Sequence, residues 1–144
     1  MWQDIINGLT KDAEYHPPAL LSRIEEVESA LRIELPETLR SLLRETNGVN
    51  GEYGLGLVWD IDRIELDNLQ FRQNDDFKRL YMPFDHLLFF ADAGNGDQFA
   101  YPIQDGCIRR DDIFVWAHES DDRRWVAGSL KQYLQWWLDG TLSL

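Results

Sequence analysis

The chain has 144 residues and a formal net charge of -12. That length suits one domain, and an acidic balance of this size disfavours phosphate-backbone binding to nucleic acid, which needs a basic surface. At 44% hydrophobic and 12% aromatic residues the chain buries a real core, so intrinsic disorder is excluded.

Along the chain, Trp2, Ile5, Ile6 and Leu9 recur at helical spacing and predict a short amphipathic helix. Pro17 and Pro18 break it. Residues 1–18 thus form a helical extension in front of one domain that spans 1–144. Ser22 with Glu25 three residues on reads as a capping box for a second helix with Ile24, Val27 and Leu31 on its buried stripe. A third helix starts at Pro36, runs to about Thr46 with Leu39, Leu42 and Leu43 inward, and stops at Asn47-Gly48.

Beyond Gly51 the pattern changes. Tyr53–Trp59 reads as a strand, and Ile61–Gln73 leans towards a short helix around Ile64, Leu69 and Phe71. "HLLFFADA" and "DQFAYPI" are apolar segments joined by Gly94, Asn95 and Gly96, a hairpin signal. "DIFVWAHE" reads as another strand. "DDRRWVAGS" leads into a last helix, where Ser129 and Gln132 form a capping box, Leu130, Tyr133, Leu134, Trp137 and Leu138 face inward, and Gly140 stops the helix. The expected class is α+β: a mainly antiparallel (mixed) β-sheet packed by N-terminal helices and one C-terminal helix.

No enzyme signature emerges. Counted as a calcium loop from Asp92, the acidic turn places Gly94, Gly96 and Ile103 where oxygen ligands belong and Asp97 where the sixth-position glycine belongs. Neither "GLG" nor "GNG" continues into a phosphate loop, and no serine sits in a nucleophile elbow. His16, His86, His118 and Cys107 are scattered, which does not suit zinc. The expectation is no catalytic residue, no cofactor and no metal. Cys107 is the single cysteine, so no intrachain disulfide forms, in keeping with a reducing cytoplasm. The first residues lack a basic stretch, and no apolar run spans a bilayer, so neither a signal peptide nor a membrane segment is expected.

What remains is a surface for protein. Acidic residues crowd the middle and late regions, with tryptophans at their borders, and tryptophan concentrates binding energy at interfaces. The partner-binding candidates are Trp59, Asp60, Asp62, Asp97, Trp116, Glu119, Asp121, Asp122 and Trp125. Gly94, Asn95 and Gly96 are assigned to a structural turn, and Asp97 to backbone hydrogen bonding within it. The chain is expected to act as a monomer or weak dimer.

Three segments in this order resemble the SUKH superfamily. "IEEVESALRIELPETLRSLLRETNGVNG" carries that family's landmarks at Ile24, Glu28, Leu35-Pro36 and Asn47-Gly48. "LLFFADAGNGDQFAYPI" matches its central hairpin at Gly94, Gly96 and Asp97, and "VWAHESDDRRWVAGSLKQYLQWWLDG" its closing strand and helix at Trp116, Ser129, Leu130 and Trp137. The resemblance covers the chain after about residue 20; the leading helix is not part of the signature. It implies a non-enzymatic α+β domain with a mixed sheet. Bacterial members are thought to be immunity proteins that neutralise polymorphic toxins, often nucleases or deaminases, and a fungal member is a cell-wall assembly regulator. The implied function is neutralisation of a basic toxin domain in the cytoplasm. A regulatory scaffold is the alternative, and a small-molecule or metal-binding enzyme is the least favoured.

Overall fold

The computed structural model describes residues 1–144, and its first helix, α1 (Trp2–Asn7), buries Trp2 and Ile6 as their spacing predicts. Its unpaired amino end is satisfied from elsewhere in the chain. The Glu45 carboxylate accepts the Trp2 and Gln3 amides at 3.0 and 2.7 Å and the terminal amine at 2.9 Å. The leading helix is therefore docked on the body of the fold, and its orphan amides find the anion they favour.

Helix α2 (Leu21–Leu31) buries Ile24, Val27 and Leu31, and α3 (Glu37–Glu45) buries Leu39, Leu42 and Leu43. The expected capping box at Ser22 does not form. The cap position falls on Leu20, so Ser22 lies inside the first turn and makes no cap bond. Pro36 stands one position before the helix, as its cap residue. Gly48 then turns the chain with φ +85°, and a β-carbon there would meet Asp60 N at 2.7 Å and Val58 O at 2.9 Å. Backbone angle and close approach both demand glycine here.

Short strands β1 (Glu14–Tyr15), β2 (Val49–Asn50) and β3 (Gly56–Val58) form one antiparallel ladder. Helices α4 (Ile61–Gln73) and α5 (Asp75–Leu80) follow. A second antiparallel ladder contains β4 (Leu87–Asp92), β5 (Gln98–Pro102), β6 (Ile113–Ala117) and β7 (Asp122–Ala127), in that order, and α6 (Leu130–Asp139) closes the chain. The α+β class holds, with every strand pair antiparallel. Instead of one sheet there are two, and they abut. Trp59 at the end of β3 donates its amide to Phe90 O of β4 at 2.8 Å.

Several elements depart from the expected layout. Strands β1 and β2 are short ones that the pattern did not announce. The expected Tyr53–Trp59 strand is reduced to Gly56–Val58, because Glu52–Gly54 forms a 3-10 turn with Tyr53 at φ 58°. β7 and α5 are further additions. Asp122–Ala127 is a strand rather than a lead-in, because β7 is an edge strand and carries the charges that edges commonly bear. Helix α5 is set off by Asn74, whose side chain accepts from Asp76 N and Phe77 N. The second capping box is partly modified: Ser129 accepts from Gln132 N at 3.1 Å, and the Gln132 side chain reaches Gly128 N at 2.7 Å instead of the cap residue.

The four-stranded ladder is covered on both faces, so Leu87–Ala91 are buried without alternation. Phe71 of α4 stacks on Phe89 and meets Trp116 edge-on, while Tyr133 and Trp137 of α6 pack against Phe99. One core runs from Trp2 to Leu134.

Two polar side chains are fully buried, Thr46 and Asn68, and Asn68 is the one on α4. It accepts Phe89 N at 2.8 Å, and donates to Phe89 O at 2.9 Å and to Ile64 O at 2.7 Å. A buried donor or acceptor left unpaired costs about 1–3 kcal/mol. Asn68→Leu orphans both backbone groups of Phe89 and is expected to lower stability by about 3 kcal/mol. Tyr133→Phe removes one 2.9 Å bond to Leu57 O and is expected to cost about 1 kcal/mol. Urea unfolding at neutral pH checks both; a smaller loss for Asn68→Leu than for Tyr133→Phe would refute this ranking.

Candidate functional site

The first turn of α4 gathers three of the candidate residues. Asp60 is its cap and accepts Arg63 N at 2.8 Å through Oδ1. The Asn47 side chain accepts the next orphan amide, Ile61 N, at 2.9 Å. The Asn-Gly pair that ends α3 therefore also starts α4, and the two meet because Gly48 allows backbone on backbone.

Arg63 is the hub of this corner. Its guanidinium gripes both oxygens of Asp92 at 2.7 and 2.9 Å, reaches Asp67 at 3.0 Å, and lies 4.1 Å over the Trp59 ring. Burial pulls its pKa down, but the Asp92 and Asp67 carboxylates more than offset that and leave it raised. Beside it, Arg23 of α2 pairs with Asp62 and Glu65, each at 2.9 Å. These residues border a pocket of about 380 Å³, walled by His16, Asn50, Trp59, Asp60, Asp62 and Arg63. Across it the His16 ring and the Asn50 side chain are hydrogen-bonded at 2.6 Å.

The later candidates have a different job. Gly94 and Gly96 take φ +96° and +98°, and a β-carbon on Gly96 would stand 2.9 Å from the His118 ring. Asp97 then accepts His118 N at 3.0 Å and sits 2.6 Å from the His118 ring, with Asn95 Oδ1 accepting Asp97 N at 3.0 Å. Burial raises the Asp97 pKa, and the His118 and Asn95 hydrogen bonds outweigh it, so the carboxyl is held below its usual range. Asp121 accepts Trp116 Nε1 at 2.8 Å, Met82 N at 2.9 Å and Arg123 at 2.9 Å, which likewise outweigh burial and lower its pKa. Arg123 also donates to Met82 O and Pro83 O, both at 2.8 Å, from above the Phe84 ring.

The candidates thus divide. Trp59 and Trp116 are 2% and 3% exposed, so as partner-binding side chains they are corrected: both rings belong to the core. Asp97 and Asp121 are internal fasteners with most of their acceptor capacity in use. Asp60, Asp62, Glu119 and Asp122 are exposed, and Trp125 is 50% exposed on β7, with its indole on Asp112 and its edge towards Trp136. Sequence reasoning missed Arg63, Arg23, His16 and Asn47 in this role. The available signal was Arg63 three residues beyond the cap Asp60, but its partner Asp92 comes only from the fold. No three His, Cys, Asp or Glu side chains come together as a metal-binding group.

The comparison with known families agrees with the segments quoted above. The family model SUKH_6, described as SMI1-KNR4 cell-wall, matches residues 21–134. No curated protein matches the chain. The chain belongs to the SUKH superfamily. The match begins at the first residue of α2 and leaves α1 outside it.

The fasteners carry a pH dependence. With the folded pKa of Asp97 lowered, its stabilisation is complete above the unfolded-state value of about 3.9 and is lost as pH falls through the folded one. Asp97→Ala is expected to melt roughly 3–6 °C below the parent at pH 7, the equivalent of about 1 kcal/mol. The gap should hold down to about pH 5 and close below about pH 4. A gap that stays constant through pH 3 in calorimetric melting would show that the Asp97 charge plays no part.

Proposed function

We propose that this chain is a protein-binding domain acting as an immunity protein, which binds a basic toxin domain and masks it. The family supports a domain of the immunity or cell-wall-regulator kind. The observation that carries the finer reading is the charge: 26 acidic against 14 basic residues, with exposed carboxylates at Asp60, Asp62, Glu119 and Asp122. Such a surface steers a cationic partner and fixes its register. Nucleases and deaminases handle polyanions and present basic surfaces of this kind, which makes them the favoured toxin class. Trp125 offers an aromatic anchor next to Arg124 on the outer strand. No helix is long and apolar enough to cross a membrane.

The family's cell-wall description supports a second reading, a regulatory scaffold related to the cell-wall regulators. The two readings separate on partner number. A scaffold binds several cellular proteins, whereas an immunity protein binds one toxin encoded beside it.

Co-expression with each toxin domain encoded next to this chain tests the proposal. The expected outcome is restored growth and a stable complex whose association slows roughly tenfold or more from low to high salt. Neither protection nor a complex with any neighbouring toxin domain would overturn it. Protection with an association rate indifferent to salt would remove charge steering from the mechanism.

A further inference from the structure

The four-stranded sheet treats its two edges differently. On β4 the open edge is taken by Trp59 N and by the Asn68 side chain. On β7 it stays open. That strand pairs with β6 alone, and beyond this ladder its backbone makes one hydrogen bond, from Asp122 N to Ser120 Oγ at 3.3 Å. We propose that the β7 edge pairs with the β7 edge of a second copy of the chain, antiparallel and centred on Arg123. Asp122 of each copy then stands opposite Arg124 of the other.

The residues of the strand select that register. β7 runs regularly from Asp122 to Trp125, opposite Ala117 to Phe114. The register then shifts: Phe114 faces Trp125 but Ile113 faces Ala127, which leaves Val126 as the extra residue. A bulge of this kind ends regular pairing on an edge. A two-fold axis normal to a continuous sheet keeps like faces together, so it passes through a residue rather than between two. Centred on Asp122, the pairing sets aspartate against aspartate. Centred on Arg124, it sets arginine against arginine, and centred on Trp125 it runs into the bulge. With Arg123 at the centre, opposite charges face each other twice, which is the favourable cross-strand arrangement. Charge on an edge strand ordinarily keeps other chains away. On β7 it does so in every register of the regular stretch but this one.

Both charges are free to pair. Asp122 and Arg124 are exposed, share one face of the strand two residues apart, and neither side chain has a partner within the chain. The charges around them are committed: Asp112 is held by Arg110 at 2.6 Å and Asp121 by Arg123 at 2.9 Å. Arg123 itself would meet its own copy at the axis, but on the opposite face. Its side chain is 12% exposed, balanced by Asp121, and bonded to Met82 O and Pro83 O at 2.8 Å, so it brings no free charge to the centre.

A second copy is the occupant because the edge is its own complement in this register. Joining β7 to β7 also closes the assembly. The far edges of the resulting eight-stranded sheet are the two β4 edges, each already occupied by Trp59 and Asn68, so growth stops at two. The contact is short, well under the roughly 800 Å² per partner of a standard interface. Each copy also carries a net charge of -12, which opposes approach. The dimer is therefore a weak one. It goes beyond the toxin-binding reading and does not rest on it.

Sedimentation equilibrium of the full chain over a concentration series tests this, with NMR of the isotope-labelled chain to place the contact. The expected result is a reversible monomer–dimer equilibrium with a Kd on the order of 1 mM or tighter. The amides that shift with concentration should centre on Asp122–Trp125. Asp122→Arg and Arg124→Asp are each expected to weaken the dimer at least roughly fivefold. An equimolar mixture of the two variants should restore it as a mixed pair, and the double swap should restore it in one chain. Both side chains are exposed and unpaired, so the melting points should stay at the parent's. The single substitutions move the net charge in opposite directions, Asp122→Arg towards neutrality and Arg124→Asp away from it. A dimer that strengthens with Asp122→Arg would follow net charge alone and overturn the pairing. A monomer through about 1 mM, or a dimer indifferent to both substitutions, would overturn it as well. Amides of β7 that move only when the neighbouring toxin domain is added would assign the edge to a strand of that partner, again overturning self-pairing. Co-expression decides the toxin-binding reading separately, since the dimer is measured on the chain alone.

Discussion

The arrangement depends on how the open edge of β4 is satisfied. That strand pairs with β5 on one side, and on the other it faces the end of β3 and the flank of α4. Its register shifts between Phe89 and Ala91, and Phe90 O is taken by Trp59 N while Phe89 N and O are taken by the Asn68 side chain. An amide side chain thus stands where a neighbouring strand would, offering one acceptor and one donor in the same sense as a peptide. Hydrophobic packing alone would let α4 slide or rotate on Phe89. The paired bonds of Asn68 fix it, and with it the direction in which the helix start points.

That fixed start is what makes the corner around Trp59 specific. Arg63 lies on the same helix and can grip Asp92 only if α4 keeps this position against β4. The guanidinium, held from two sides, covers the Trp59 ring and closes the seam between the two sheets. A surface ion pair adds little on its own, but one that is partly buried and bidentate is worth more and sets geometry. Tyr133 pins the other side of the seam, through Leu57 O.

Much of the architecture was legible because it rests on local signals. Pattern and turn chemistry located α1, α2, α3, the β4–β5 hairpin, β6 and α6, each with a buried stripe or a glycine turn that needs no distant partner. The misses were those whose causes are non-local. β7 reads as polar because Asp122 and Arg124 are exposed and Arg123 answers to Asp121, Met82 and Pro83 rather than to the strand's own alternation. Asn68 looked like an ordinary helical polar residue, since its partners lie 21 positions away. The acidic runs misled in the same manner. Their composition signals a surface, yet Asp97, Asp121 and Asp92 are each committed to a partner inside the fold.

This commitment bears on what a net charge of -12 means. Carboxylates tied to His118, Arg123 and Arg63 contribute to the long-range field but offer few free oxygens to a partner. Long-range field and direct contact are therefore separable: the whole chain supplies the field, while the carboxylates with an oxygen to spare are those able to accept a further hydrogen bond. Around α4 those are Asp60 and Asp62, on a turn whose position is set by Asn68 two turns further along the helix. A substitution at Asn68 would thus loosen the helix that presents them. The sheet seam, the buried asparagine and the exposed pair form one chain of cause, running from a backbone group on β4 to a surface carboxylate on α4.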